Sequence, residues 1–356
     1  MTHDVANVCC WENNAAVKVP LSPNAKSIFL YTVHRFFRPI TDCSTCSKDR
    51  MKKILIIVLI ALLLLLGSIY IFIPDKLKIG SVTKSSLNIT AATRYLVNSE
   101  NWAEWWPGVK PLQYNNIDFK IVKKKLESFE IQLLYKKDTL FSTLEIISLD
   151  SNATAYSWRC EIEGSNNPIT RCAQYFKAIH IKKSLDLLLQ SLKSYLDKEE
   201  NVYGFNVHLI KVTDSVLIAT KRSFNHEPDI KEIDLMVQQL NDYIIKEKAV
   251  SKNYPMLNVH QLGENNYEAM VAIATDRQLP ATKDFTPKLV LKGGNILEAE
   301  VKGGPFTIKK AFEEFENYKT ERGIVSPAIP YQLMITDRMK EKDTTRWITK
   351  FYYPIF

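Results

Sequence analysis

Residues 296–322, ILEAEVKGGPFTIKKAFEEFENYKTER, change their period partway along. Leu297, Ala299 and Val301 alternate with Glu298 and Glu300, which is the period of a half-buried strand. After the Gly303-Gly304-Pro305 turn, Ile308, Ala311, Phe312, Phe315 and Tyr318 recur at helical spacing. Glycine admits backbone angles that other residues resist, and Pro305 fixes φ for the helix start. Short strands at 288–291, 331–336 and 346–353 complete a strand-helix-strand-strand unit. The same order stands upstream. Residues 205–220 read as a strand. Residues 229–248 read as an amphipathic helix carrying Ile230, Ile233, Leu235, Val237, Leu240, Tyr243 and Ile244, and 257–262 and 267–275 return as strands. The sequence thus predicts a duplicated unit with halves at 203–280 and 286–356. Two such sheets cover each other's edges and leave a groove at the pseudo-twofold.

Specific residues resemble a known family. Lys302-Gly-Gly-Pro-Phe306, the helix-ending Glu321-Arg-Gly323, the strand Ile329-Pro-Tyr-Gln-Leu-Met-Ile-Thr-Asp337 and the closing Thr349-Lys-Phe-Tyr-Tyr-Pro-Ile355 look like the motifs of the GyrI-like (AraC-type) effector-binding domains. The resemblance covers 203–356 and implies small-molecule binding between the halves, often of hydrophobic cations held by aromatic walls and a carboxylate on the last strand. Some relatives are hydrolases. The chain departs at three places. Lys350 stands where Glu is common, Met334 where a second Tyr is common, and Asp337 is followed by Arg338 rather than Pro. A lysine repels a cation, so the pocket either takes a neutral or anionic ligand or is structural only. Strand alternation puts Ile348, Lys350 and Tyr352 on one face. With Tyr331 they form the expected ligand-binding set; the plain alternative is a surface lysine and a core tyrosine.

Upstream of this unit, residues 78–89 have β character and 91–99 are helical. Strand-like runs follow at 119–126, 129–135, 140–149 and 154–162. A long helix is expected from an N-cap at Thr170 to about residue 200, with its apolar stripe on Cys172, Tyr175, Phe176, Ile179, Leu185, Leu188, Leu189, Leu192 and Leu196. Asn101-Trp102, Trp105 and Pro107, with Asn167-Pro168 opening the long helix, resemble the START-like SRPBCC superfamily (polyketide cyclase/dehydrase and lipid transport). Residues 77–200 are then a helix-grip domain, one strand short of the usual sheet. The resemblance implies a cavity for a lipid or other hydrophobic molecule, with Trp102 and Trp105 at it; the bland reading is that these aromatics pack a core.

Residues 54–73, ILIIVLIALLLLLGSIYIFI, carry no charge. About twenty apolar residues span the roughly 30 Å hydrocarbon core of a bilayer. Residues 51–75 are therefore expected to be a single-pass anchor in contact with membrane lipid. Its exit, Tyr70-Ile71-Phe72-Ile73, lacks the small residues of a cleavage site. Lys48, Arg50, Lys52 and Lys53 precede it, against Lys76, Lys78 and Lys84 after it, which favours the N-terminus inside and the globular part extracytoplasmic. Residues 1–50 show no sustained period apart from a short strand-like run at 27–33. Met51-Lys-Lys before an apolar run looks like the start of a bacterial anchored protein, with 1–50 an extension. Asn88-Ile-Thr90 and Asn152-Ala-Thr154 fit the glycosylation triplet.

The chain has 356 residues, 46% of them hydrophobic and 24% charged, which suits packed cores. Its net charge of +8 is spread along the chain, with no arginine stripe or zinc-finger spacing, so no nucleic-acid partner is expected. Of six cysteines, Cys43 and Cys46 form one isolated CxxC, and Cys160 and Cys172 read as buried thiols. The six histidines have no metal-ligand spacing, and no metal or cofactor is expected. No nucleophile elbow, HExxH or phosphate-binding loop appears. Glu298 and Glu300 are the only catalytic candidates, as a base in hydrolysis. The sequence therefore reads as an α+β chain: a transmembrane helix, a helix-grip sheet with a long C-terminal helix, then the duplicated GyrI-like unit. The expected function is non-catalytic capture or sensing of a hydrophobic or amphipathic molecule. A small-molecule hydrolase and a scaffold with filled pockets are the alternatives.

Overall fold

The computed structural model describes residues 47–108 and 112–355. The run at 27–33 and the Cys43–Cys46 pair lie outside them. The first helix, α1 (Ser47–Phe72), contains the uncharged stretch. Its segment Arg50–Phe72 is long and apolar enough to cross a membrane, and none of that window is buried in protein. The chain divides into a unit ending at Ser68 and a unit from Ile69 onward.

In the second unit the first sheet is built from β1 (Lys76–Ser85), β2 (Gln113–Tyr114), β3 (Ile117–Lys124), β4 (Ser128–Tyr135), β5 (Asp138–Asp150) and β6 (Ala153–Glu163). Its order is β1-β6-β5-β4-β3-β2, antiparallel throughout. The sheet has six strands, one more than the five strand-like runs read from the sequence. β2 is only two residues long and turns into β3 through Asn115 and Asn116, both at positive φ, a signal too short to read as a strand. Two short helices, α2 (Ile89–Val97) and α3 (Trp102–Trp105), lie between β1 and β2. The long helix α4 (Pro168–Leu196) follows β6, and Asn167 rather than Thr170 caps it, accepting from the Ile169 and Thr170 amides.

The buried stripe of α4 differs from the expected one in its first half. Leu185, Leu188, Leu189, Leu192 and Leu196 are core, but Tyr175, Phe176 and Ile179 are exposed. Counting back from Leu185 at 3.6 residues per turn reaches Ile181, Ala178 and Arg171, and these are the buried ones. Arg171 is 3% exposed. Its Nε donates to the Ile73 carbonyl at 2.8 Å, its Nη2 meets Asp75 at 2.7 Å, and its guanidinium lies over the Tyr70 ring. Tyr70 in turn donates to the Asn166 carbonyl at 2.6 Å. The end of α1 from Ile69 onward is thus fastened to the start of α4. Asn88 is no glycosylation acceptor. It is buried as the N-cap of α2 and accepts from the Ala91 amide at 2.8 Å. Cys160 is buried and Cys172 half-buried, and both are free thiols.

After α5 (Glu199–Tyr203) comes an eight-stranded sheet: β7 (Val207–Lys211), β8 (Val216–Phe224), β9 (Met256–Gly263), β10 (Asn266–Ala274), β11 (Thr286–Leu289), β12 (Asn295–Lys302), β13 (Tyr331–Met334) and β14 (Ile348–Ile355). Helix α6 (Ile230–Lys246) starts in a capping box of Asp229 with Glu232, and α7 (Pro305–Glu321) has Pro305 at its first position. The strand order is β11-β8-β10-β9-β13-β14-β12-β7. The duplication is present, with one correction. Residues 205–220 are two strands that lie at opposite ends of the sheet: β7 pairs with β12 of the second half, and β11 crosses to β8 of the first. Each half therefore lends its leading strand to the other's edge.

The two sheets share a continuous core through Tyr203, Phe205 and Phe315. An ion cluster closes its rim. Arg94 of α2 reaches Glu321 at 2.6 Å and Glu314 at 3.0 Å, Tyr203 donates to Glu321 at 2.7 Å, and Arg322 meets Glu199 at 2.9 Å. The architecture is α+β, with a long helix gripping one curled antiparallel sheet and a duplicated unit forming the other.

Candidate functional site

Alternation gives the eight-stranded sheet two distinct faces. Leu257, Val271, Ile273 and Met334 pack with α6, and Phe351 and Tyr353 pack with Phe312 and Phe315 of α7. The opposite face carries Met256, Leu333, Ala272, Tyr331 and Tyr352. Ile348, Lys350 and Tyr352 share this second face, as the strand period requires.

On that face the expected residues meet. Tyr331 and Tyr352 stack with ring centroids 5.1 Å apart. Cross-strand register sets Glu298 opposite Tyr352 and Glu300 opposite Lys350. Lys350 Nζ lies 3.1 Å from Glu298 and 3.7 Å from Glu300, and the Tyr352 hydroxyl donates to the other Glu298 oxygen. Burial, then the bond to Glu298, pushes the Tyr352 phenol well above its ordinary value. Burial pushes Tyr331 up to about 12, with Asp214 and Glu298 adding to it. Lys350 is therefore neither a free surface lysine nor an unpaired cation in a pocket. It sits between two carboxylates that the sequence could place on the same strand face but not beside it.

A concavity lies on the helix side. Where α6 and α7 diverge across the pseudo-twofold, a groove of about 830 Å³ opens over the β9–β13 seam. Ile233 and Val237 of α6, Ile308 and Phe312 of α7, and Leu257, Val259 and Met334 of the sheet form its apolar surface. Its rim holds Glu227, Asp229, Asp234, Glu313, Asp337, Lys309 and Lys340. Most of these are engaged: Asp229 in the α6 cap, Asp234 with Gln238, Asp337 with Lys340 at 2.9 Å, and Lys309 near Glu227 at 4.0 Å. At one end Arg338 donates to the Thr349 hydroxyl at 3.2 Å and lies 5.4 Å from the Trp347 ring centre. Burial alone lowers its pKa to about 10. Among the described residues Arg338 has no carboxylate partner.

The site under the long helix is different. Trp102 and Trp105 are 0% and 2% exposed and belong to a cluster with Trp106, Phe119, Phe129 and Trp158. The Trp102 indole donates to the Leu96 carbonyl at 2.8 Å, whereas the Trp105 indole N–H has no partner among the described residues. These side chains are packed core. Among the described residues no group of three or more His, Cys, Asp or Glu is arranged to hold a metal ion.

No protein-family model matches the chain, and no curated protein matches it. Some solved structures are similar to it. EcmrR in a complex with DNA is 13% identical, with 53% of this chain and 72% of that chain covered and a TM-score of 0.39. The protein SAV2435 bound to tetraphenylphosphonium is 14% identical, over 42% of this chain and 94% of that chain, with a TM-score of 0.28. A START superfamily protein from Mycobacterium smegmatis is 12% identical, over 32% of this chain and 98% of that chain, with a TM-score of 0.21.

Proposed function

We propose that this protein is a membrane-anchored receptor that captures a small hydrophobic or amphipathic molecule without transforming it. The observation that carries the reading is the groove between α6 and α7. Its volume of about 830 Å³ lies in the range that holds one drug-sized ligand, and an apolar floor with a few polar groups is the composition of such sites. The helix segment Arg50–Phe72, uncharged from Ile54 onward, supports the anchor, and the basic residues ahead of Ile54 favour globular domains outside the cytoplasm. In this reading residues 77–200 form a packed pedestal and 203–356 the binding unit.

Glu298 and Glu300 act here as partners of Lys350 rather than as bases, because Glu298 already accepts from both Lys350 and Tyr352. Ester or epoxide turnover by the full chain that is lost in Glu298→Gln would reverse that assignment in favour of the hydrolase alternative.

Native mass spectrometry of the full chain released from mild detergent tests the proposal. The wild type is expected to carry a co-purified small-molecule adduct. Val237→Trp, which fills the groove from α6, is expected to lose the adduct while keeping the wild-type melting temperature. An adduct retained in Val237→Trp, or none in the wild type, overturns the groove as the binding site.

A further inference from the structure

We infer that the groove between α6 and α7 selects an anionic amphiphile, a carboxylate or phosphate on an apolar body, with Arg338 receiving the acid group. This deepens the groove reading and rests on it. Arg338 is the residue that stands where the resembled family has proline after Asp337, and its side chain lines the groove on the helix side of the sheet. An arginine keeps its charge at any physiological pH, so a half-buried guanidinium must be paired or remain poorly solvated. Here its contacts are one neutral hydroxyl, Thr349, and the face of Trp347. Both orient the planar fork, and neither neutralises it.

The other charges on the rim do not serve Arg338. Asp337 is taken by Lys340 and by the Met339 amide, Asp229 and Glu232 close the α6 cap, and Glu313 is exposed on α7. A second feature has the same sign. The N-terminus of α7 opens at Pro305, which lines the groove, and its N-cap Gly304 has no side chain to occupy the first-turn amides. The positive end of a seventeen-residue helix therefore stands at the groove with no capping side chain. A carboxylate or phosphate meets the guanidinium fork in two parallel bonds, and the tail lies along Ile308, Phe312, Val237 and Leu257. The lysine on the opposite face, Lys350, is already neutralised by Glu298 and Glu300, whereas Arg338 has no carboxylate partner among the described residues.

The full chain in lipid nanodiscs is photolabelled with diazirine-bearing dodecanoate, dodecyl phosphate and dodecanol, and the labelled peptides are mapped by mass spectrometry. The two acids are expected to label residues 257–259 and 308–312 about tenfold more than the alcohol, the size of one charge-assisted contact. Arg338→Gln is expected to abolish that preference and leave the alcohol signal unchanged, and Arg338→Lys to keep part of it. Thr349→Val retains the guanidinium but frees it from its tether, and is expected to lower acid labelling severalfold. It supplies the test if Arg338→Gln does not fold. Equal labelling by acids and alcohol in the wild type, or an acid preference that survives the variants, overturns the charge assignment and leaves the groove standing. No labelling of either segment by any probe overturns both.

Discussion

Glu321 is the most connected carboxylate of the contact between the two sheets, and its replacement has a calculable cost. Its side chain is 5% exposed. One oxygen accepts from Arg94 Nε at 2.6 Å and the other from the Tyr203 hydroxyl at 2.7 Å, while its backbone carbonyl accepts from Asn88. Glu321→Gln replaces one acceptor oxygen with an amide that donates toward the same donors. Arg94 then keeps Glu314, but the Tyr203 hydroxyl or the guanidinium loses its partner. Breaking a buried ion pair by removing one member costs about 3–5 kcal/mol. Arg94 is a third exposed, so solvent screens part of that, and about 3 kcal/mol is the expected effect, roughly a hundredfold in the opening equilibrium. Hydrogen exchange of the full chain in nanodiscs reads it directly. Amides of α2 and of the last turns of α7 are expected to lose about two orders of magnitude of protection, with β3–β5 unchanged. Arg94→Met is expected to behave similarly, and the double variant to show a coupling of about 2 kcal/mol. Unchanged protection in Glu321→Gln, or additive single effects, would refute the claim that this cluster joins the sheets.

Two further outcomes follow from buried groups. Arg171→Met leaves the Ile73 carbonyl without its donor and removes the stack on Tyr70, so residues 69–76 are expected to exchange faster by about 2–3 kcal/mol of local opening, read on the same peptides. Burial pushes the Cys160 thiol up to about 11 from an ordinary 9, with Lys177 partly opposing. The folded state thus favours the neutral thiol. That contribution is fully present below pH 9 and is lost as pH rises through 11, up to about 2–3 kcal/mol, so the wild type should lose more stability across that window than Cys160→Ala in a denaturant titration.

Much of this architecture was legible because strand alternation and helical spacing are local. Runs at 119–126, 129–135, 140–149 and 154–162 are strands within a residue or two, and the Gly303-Gly304-Pro305 turn needs its first glycine. Gly303 sits at φ +153°, where a Cβ would also meet the Thr307 side chain at 2.8 Å. What the sequence hid was non-local. The exchange of β7 and β11 between halves leaves no mark at Val212–Ser215, which lacks glycine and proline. The partners of Lys350 follow from the β12–β14 register, which only the folded sheet fixes. Arg171 carried no signal in the sequence, because nothing in its neighbours announces that it serves a carbonyl almost a hundred positions earlier. Trp102 and Trp105 were placed at a cavity by resemblance, and in the structure they are buried in an aromatic cluster whose composition follows from the sheet's register. Arg338 was visible only as a departure from a proline, and that it has no carboxylate partner among the described residues is seen only in three dimensions.

Helix α7 connects these observations. It is seventeen residues long, about 25 Å, and its two ends do different things. Its first two turns supply Ile308 and Phe312 to the groove, and its end supplies Glu314 and Glu321 to the contact with α2. Between them Phe315 is fully buried against Phe205, Phe351 and Tyr353, which leaves the helix no place to bend. The halves of the sheet are held by five register pairs between β7 and β12 and four between β11 and β8, against two at the β9–β13 seam beneath the groove. The exchanged edge strands thus carry the joint, and the seam is the least paired line in the sheet. The groove lies over that line, and α7, which forms one of its walls, is held at its far end through Glu314 and Glu321.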